Sequence, residues 1–392
     1  MNRPQEDLHP SRTKINQPKG TRLRDDLMIE KLNYLVKKLT STLIRLNYKE
    51  RDYPVMDYEN RLLDKYGDDE KLIYKMKDKY QENPLVLRYD LTTQHMIYSN
   101  PHYRTKTFQC GKVYRNEPIS NTQHRYREFY QFDCDVVAYP TQFSYQEILT
   151  TLGTCLKVLD LDRVCKIRIN DRKQVNQWLR EADVPEESIH TVCSTLDKLD
   201  KVEGDWEKLR PSLNDKVGAT VATKVIDTFK SVTVHPCCDM KTVSGISLEW
   251  DPTMIRGLNY YTGLIFEVVC GEITIGGGGE YQTSVGFSLG LDRILDLPYT
   301  SVESTFVSVY LITWIDECTS HAQEIIPELL QLNPTWCIQI YPISSGRQLK
   351  NHLAKLNKRE RGMAFVYGPS EMAEGLNMVN AMGLGGYVPN FK

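Results

Sequence analysis

The stretch "YRNEPISNTQHRYREFYQFDCDV" (Tyr114 to Val136) decides how the rest of the chain is read. "KTFQCGKVYRNE" and "RYREFYQFDCDVVA" run in steps of two and are rich in aromatic and β-branched residues, which predicts strands; "PLVLRYDLT" before them reads the same way. Into this text the chain sets Arg88, Arg115, Arg125 and Arg127, with Arg256 in later strand text and Arg293 in a helix. An arginine projecting from a sheet must meet an anion, and several that converge most simply imply a polyphosphate or carboxylates. Any one of them alone more often pairs with a neighbouring acid. Grouped with Asp90, Glu117, Gln131 and Asp135, they point to a site.

Outward from that block, "DDLMIEKLNYLVKKLTSTLIRLNY" spaces Leu27, Leu32, Leu35, Leu39, Leu43 and Leu46 as the apolar face of a long helix with acids at its start. "QFSYQEILTTLGTCLKVL" is a second helix, and residues 163–240 change to a strand followed by polar helical segments. Strand text resumes at "GISLEW" and runs through "EVVCGEITIGGGG" to the helix "SVGFSLGLDRILDL". After Leu297 three strands alternate with two helices, an α/β domain of its own. The glycine run Gly276 to Gly279 permits close backbone approach to a ligand. It fits neither a P-loop nor a GxGxxG turn, which disfavours the nucleotide folds those motifs mark.

With 392 residues, 41% hydrophobic and 26% charged, the chain is expected to be globular with two or three domains. A net charge of −2 leaves any nucleic-acid contact to a local basic face. Lys350, Lys355, Lys358, Arg359 and Arg361 form such a cluster, although a solvated helix face has the same pattern. Neither a membrane span nor a secretory leader is expected, so the expected location is cytoplasmic. Ten scattered cysteines without a CxxC pair read as reduced thiols, not as a zinc site or a disulfide framework.

These motifs together resemble the class II aminoacyl-tRNA synthetases, and among them the histidyl-tRNA synthetases of eukaryotic and archaeal type. "KGTRLRDD" resembles the family's opening segment, "YKERDYPVMD" motif 1 with Pro54 as its proline, and "LRYDLT" the histidine-binding element. The opening stretch is similar to motif 2, "IRGLNYYTGLIFE" to the histidine-specific signature, and "GFSLGLDRIL" to motif 3. "INDRKQVNQWL" and "CSTLDKLDKV" match the insertion between motifs 2 and 3. The resemblance is close over about residues 18–300 and loose beyond.

It implies an α+β fold: a mixed, mainly antiparallel catalytic sheet flanked by helices, a helical insertion, and a C-terminal α/β domain like those that bind anticodons. The expected division is a polar arm at 1–19, catalytic parts at 20–162 and 241–299, the insertion at 163–240 and the last domain at 300–392. The implied activity is ATP-dependent activation of histidine and its transfer to tRNA(His), with Mg²⁺ accompanying ATP, in a homodimer. By resemblance Arg115 and Arg256 would bind the α-phosphate, Arg125 and Arg293 the terminal phosphates, Phe129 would stack on adenine and Glu117 bind its amino group. Asp90 and Thr92 would hold the α-amino group, Gln131 the amino-acid backbone, and Asp135, Tyr261 and Tyr281 the imidazole, with Tyr260 beside them. A catalytically silent regulatory or tRNA-sensing relative, or a ligase with another acceptor, are the alternatives.

Four departures stand out. "GGEYQTS" replaces the family's GGRYDGL, so that Glu280 stands for an arginine and Gln282 for an aspartate, which puts the histidine pocket in question. "LTTQHMIYS" replaces LTVPFAR, and Asn259 stands for the signature's aspartate.

Overall fold

A computed structural model describes residues 17–62, 67–77, 83–120, 122, 124–202, 204–232, 242–255, 260–298, 307–313, 316–332, 336–359, 362–369, 373 and 382–384. It divides the chain into two units, Met1–Ser301 and Val302–Lys392. Arg256 and Asn259 lie outside the described residues, as do the adjacent pair Cys237 and Cys238 and most of the final segment.

The first unit opens with helix α1 (Asp26–Arg45). Asp25 caps it by accepting the Met28 N–H at 2.9 Å, which satisfies one of the donors a helix start leaves unpaired. Leu32, Leu35, Leu39 and Leu43 form its buried face. Short strands β1 (Lys49–Glu50) and β2 (Met56–Tyr58), the one-turn helix α2 (Glu59–Leu62), strands β3 (Lys75–Met76) and β4 (Leu85–Leu87) and helix α3 (Thr92–Tyr98) follow. β2, β4 and β3 make a small antiparallel sheet.

The long hairpin of β5 (Thr105–Tyr114) and β6 (Glu128–Val137) carries the opening stretch, paired from Thr105 opposite Val137 to Tyr114 opposite Glu128. Helix α4 (Thr141–Val158) and strand β7 (Cys165–Asp171) come next, then helices α5 (Arg172–Glu181), α6 (Glu186–Leu196) and α7 (Trp206–Ser231). The last of these is broken at Gly218, whose φ of 80° is not helical. Strands β8 (Thr242–Val243), β9 (Ile246–Trp250), β10 (Tyr261–Cys270), β11 (Ile273–Tyr281) and β12 (Ser284–Gly290) and the short helix α8 (Leu291–Leu295) complete the unit.

Nine strands form one sheet in the order β1-β5-β6-β12-β11-β10-β7-β9-β8, antiparallel except where β1 meets β5 and β7 meets β9. The α+β expectation therefore holds. The strand that sequence reading put at the head of the insertion, β7, instead lies in this sheet beside β10, with Leu264 opposite Asp171. In sequence it abuts the polar helices, which is why adjacency alone groups it with the insertion. Its own residues Ile167 and Ile169 belong to the sheet's core, whereas α5 to α7 bury a separate cluster that includes Trp178, Leu213 and Phe229.

Alternation along β6 makes the site. Phe132, Cys134 and Val136 enter the core shared with α1 and α4, so Gln131, Asp133 and Asp135 must point the other way. Such a polar, buried row needs internal partners.

The second unit is a four-stranded sheet in the order β14-β13-β15-β16, from β13 (Val307–Thr313), β14 (Trp336–Pro342), β15 (Gly362–Tyr367) and β16 (Met382–Leu384), with helices α9 (Asp316–Leu332) and α10 (Gly346–Arg359). The first three strands are parallel, as crossovers through helices require, and β16 adds an antiparallel edge that the sequence did not disclose. Among the described residues no helix is long and apolar enough to cross a membrane, and the described cysteines are free thiols.

Candidate active site

Two adjoining hollows lie on the polar face of the large sheet. One, about 290 Å³, is lined by Arg115, Glu117, His124, Arg125, Tyr126, Phe129, Asp292 and Arg293. The other, an open cleft of about 660 Å³, has Asp90, Thr92, Gln131, Tyr260, Tyr261 and Ser288 on its wall. Arg115, Phe129 and Arg293 border both. Residues separated by up to 203 positions are thus brought together as the grouping of arginines and acids had suggested.

Arg115 is held from behind. Its Nε–H donates to the Tyr89 carbonyl at 3.0 Å, and its guanidinium lies 4.4 Å from the centre of the Tyr89 ring and 5.2 Å from that of Phe129. One terminal nitrogen reaches Gln131 Oε1 at 3.4 Å and the other stands 3.9 Å from Glu117. Arg293 donates to the Thr274 carbonyl at 2.6 Å. Carbonyl oxygens hold both side chains from behind, and with Glu117 3.9 Å away Arg115 keeps attraction for an anion in the hollow. Arg88, by contrast, is a structural bolt. It donates to the carbonyls of Lys112 at 2.7 Å and Tyr53 at 3.1 Å, and fills the space over Gly111, where a Cβ would stand 2.2 Å from its guanidinium.

The acids form a buried row. Tyr260 donates to Asp90 at 3.4 Å, and Asp90 also accepts the Thr93 N–H at 2.8 Å. Asp133 accepts from Thr92 Oγ1 at 2.9 Å and from Gln131 Nε2 at 2.7 Å. Asp135 accepts from the Tyr281 hydroxyl. Burial, reinforced by the neighbouring Asp135 carboxylate, pushes the Asp133 carboxyl up to about 8, and burial pushes Asp135 up to about 7. A cation bound in the cleft would favour their charged forms.

Asp135 and Tyr281 do not line the open cleft. They sit behind Tyr260, whose ring meets that of Tyr281 edge-on at 5.9 Å. His95, at the departure "LTTQHMIYS", is buried with them, its Nδ1 4.0 Å from Asp135. Burial, with Arg51 nearby, lowers this imidazole to about 4, so it is neutral near pH 7.

Glu280, the residue that put the pocket in question, is on the other face of β11. Its carboxylate accepts from the Tyr145 hydroxyl at 2.6 Å and pairs with Lys173 at 3.0 Å. The altered element therefore leaves the cleft wall intact. Gln282 sits in the tight turn between Tyr281 and Ser284 with φ of 48°. The glycines are strand residues, not a loop. A Cβ on Gly278 would come within 2.0 Å of the Gly286 carbonyl, so neighbouring strand backbone claims much of the room they leave, while Gly276 and Gly277 also face the cleft.

Sequence reading missed the brace around this site. Arg24 pairs with Asp292 at 2.6 Å and Arg22 with Asp296 at 2.6 Å. Asp296 also accepts from Tyr126 at 2.7 Å and Asp292 from the Tyr130 N–H at 2.7 Å. The segment before α1 thus ties α8 to β6. It also missed Asp133, although the two-residue step from Gln131 to Asp135 passes through it.

The model of one protein family, histidyl-tRNA synthetase, matches residues 25–200 and 164–294. The chain belongs to the histidyl-tRNA synthetase family. It is 29% identical over 380 residues to the mitochondrial histidine–tRNA ligase of Mus musculus, covering 80% of this chain and 74% of that one. It is 30% identical over 382 residues to the cytoplasmic histidine–tRNA ligase of Oryza sativa, covering 83% of this chain but only 47% of that longer one. Among solved structures, an ATP phosphoribosyltransferase regulatory subunit/histidyl-tRNA synthetase from Bacillus halodurans superposes with a TM-score of 0.62 at 16% identity, over 87% of this chain and 97% of that one. That likeness speaks for the synthetase fold alone.

Proposed function

We propose that this member of the histidyl-tRNA synthetase family is a histidine–tRNA ligase that works in two steps at the cleft. ATP and histidine give histidyl-adenylate and pyrophosphate; a ribose hydroxyl of tRNA(His) then attacks the acyl carbon and AMP leaves. The observation that carries this is the shared border of the two hollows by Arg115, Phe129 and Arg293. A nucleotide stacked on Phe129 in one hollow has its α-phosphate beside Arg115. An amino acid held by Asp90, Thr92 and Gln131 in the other has its carboxylate within reach of that phosphorus.

Negative charge grows on the α-phosphoryl oxygens during attack, and fixed cations stabilise it without reorganising. Arg115 takes that part from one side and Arg256, on the resemblance, from the other, while Arg125 and Arg293 bind the terminal phosphates. Glu117 receives the adenine amino group. Among the described residues no cluster of acids, histidines or cysteines cages a metal. Mg²⁺ commonly rides on phosphates with one or two carboxylates, and Glu272, beside Arg125 and Arg293, fits as one. Asp135, Tyr281 and Tyr261 receive the imidazole once Tyr260 moves aside. A regulatory relative without chemistry has no need of these arginines, and Arg115, Arg125 and Arg293 are all present. Exposed Leu27, Ile29 and Ile44 on α1, with Val55 and Met56, support a homodimer through the motif 1 region. Cytoplasmic charging completes the reading.

Histidine-dependent ATP–pyrophosphate exchange tests it. Exchange is expected with histidine alone, reduced roughly 10²–10³-fold in Arg115→Ala. No exchange with any amino acid overturns the catalytic reading.

A further inference from the structure

Asp133 lines neither hollow, yet it touches the wall of the amino-acid cleft from behind. Its carboxylate accepts the Thr92 hydroxyl at 2.9 Å and one Gln131 amide hydrogen at 2.7 Å, and Ser288 also bonds to it. The second amide hydrogen of Gln131 goes to Ser288 Oγ at 3.0 Å. Thr92, Gln131 and Ser288 all line the cleft.

Each of these groups can act as donor or acceptor when free. A cation in the cleft holds Asp133 ionised against its burial, and the carboxylate, with acceptors only, then removes the choice. With its hydrogen committed backwards, the Thr92 hydroxyl offers lone pairs to the cleft. With both amide hydrogens committed, Gln131 turns Oε1 forward, where Arg115 uses one lone pair at 3.4 Å. Beside them stands the Asp90 carboxylate. The wall therefore presents oxygens, all accepting, and an ammonium group is the ligand that brings donors and no acceptor.

We propose that Asp133 is a positioning residue that sets Thr92 and Gln131 as an acceptor-only wall and so selects substrates carrying an α-ammonium group. The inference rests on the amino-acid site of the proposed function. Asp133→Asn is the sharp perturbation. Asparagine offers one acceptor and one donor edge where the carboxylate offers two acceptors, so either the Thr92 hydroxyl or the Gln131 amide must turn a hydrogen toward the cleft, against the ammonium.

The test is competition against histidine in ATP–pyrophosphate exchange by two compounds. Histidinol keeps the ammonium and lacks the carboxylate; imidazolepropionate keeps the carboxylate and lacks the ammonium. In Asp133→Asn, the inhibition constant of histidinol and the KM for histidine are expected to rise at least about tenfold, while imidazolepropionate and the KM for ATP stay within about threefold. Equal weakening of both inhibitors, or no change in either, overturns the proposal. Should Asp133→Asn fail to fold, Ser288→Ala decides. It releases the second Gln131 hydrogen and removes the Ser288 bond to Asp133 while leaving the Thr92 and first Gln131 bonds to the carboxylate, so histidinol alone is expected to weaken, by about threefold, and an unselective or absent effect overturns the proposal. If the wild-type protein shows no exchange, calorimetric titration with the same two compounds separates the questions. Selective loss of histidinol binding in the variant then sustains the role of Asp133 while the catalytic reading falls.

Discussion

Replacing Asp292 by alanine removes the carboxylate on which the brace around the candidate site converges. Its side chain is 1% exposed, and it accepts from Arg24 at 2.6 Å and from the Tyr130 N–H at 2.7 Å. Arg22 has a second partner in Asp296 and is 22% exposed, so it can turn to water. Arg24 is 8% exposed, its Nε has no hydrogen-bond partner among the described residues, and the Tyr130 ring 5.0 Å away cannot replace a carboxylate. Breaking a buried pair from one side strands the other charge and costs about 3–5 kcal/mol. For a unit of this size roughly 2 °C accompanies each kcal/mol, so Asp292→Ala is expected to lower Tm by about 6–10 °C. In the Arg24→Ala/Asp292→Ala pair no charge is stranded, and the loss is expected to fall well short of the sum of the single losses. Differential scanning calorimetry of the three variants measures both quantities. A fall of less than about 2 °C for Asp292→Ala, or strict additivity in the double variant, would refute the view that the pair is closed to water.

Restoring the family's arginine at position 280 sets a guanidinium beside Lys173 and against the Tyr145 hydroxyl. Glu280→Arg is expected to cost about 2–4 kcal/mol in thermal unfolding while leaving the KM for histidine nearly unchanged, because the residue faces away from the cleft; a large rise in KM without loss of stability would contradict that orientation. Gln282 adopts φ of 48°, a conformation that costs most side chains about 1 kcal/mol but not glycine, so Gln282→Gly is expected to raise Tm by about 1–2 °C. The raised carboxyl of Asp133, near 8 in the fold against 3.8 ordinarily, gives a pH signature. A group that holds its proton more tightly when folded stabilises the fold fully below its unfolded value and loses that contribution as pH rises through its folded value. Asp133→Asn removes the titration, so its stability relative to wild type is expected to improve between pH 5 and pH 8, a window in which the opposing effect of His95 is common to both proteins; a flat difference would show that Asp133 is ionised throughout.

Legibility from the sequence followed periodicity. Long periodic runs announced α1, the β5–β6 hairpin and the alternation of the second unit, because a buried face must repeat at the pitch of its element. The arginines were legible as a group and ambiguous one by one: Arg115 and Arg293 border the hollows, whereas Arg88 donates to two carbonyls. No count of neighbouring acids separates those cases, since the partners of Arg88 are backbone groups contributed by Tyr53 and Lys112. β7 was misplaced for the complementary reason, that a strand's sheet is chosen by partners far along the chain, here β10 and β9. The same gap hid which face Glu280 takes. Yet a face can be derived once one neighbour is fixed: if Tyr281 meets Asp135, the two-residue period sends Glu280 to the helices. Applied to β6, that step also draws Asp133 out of the core and into the row with Gln131 and Asp135. There the third buried acid serves the groups that line the cleft, its two oxygens taking the Thr92 hydroxyl and a Gln131 amide hydrogen at once.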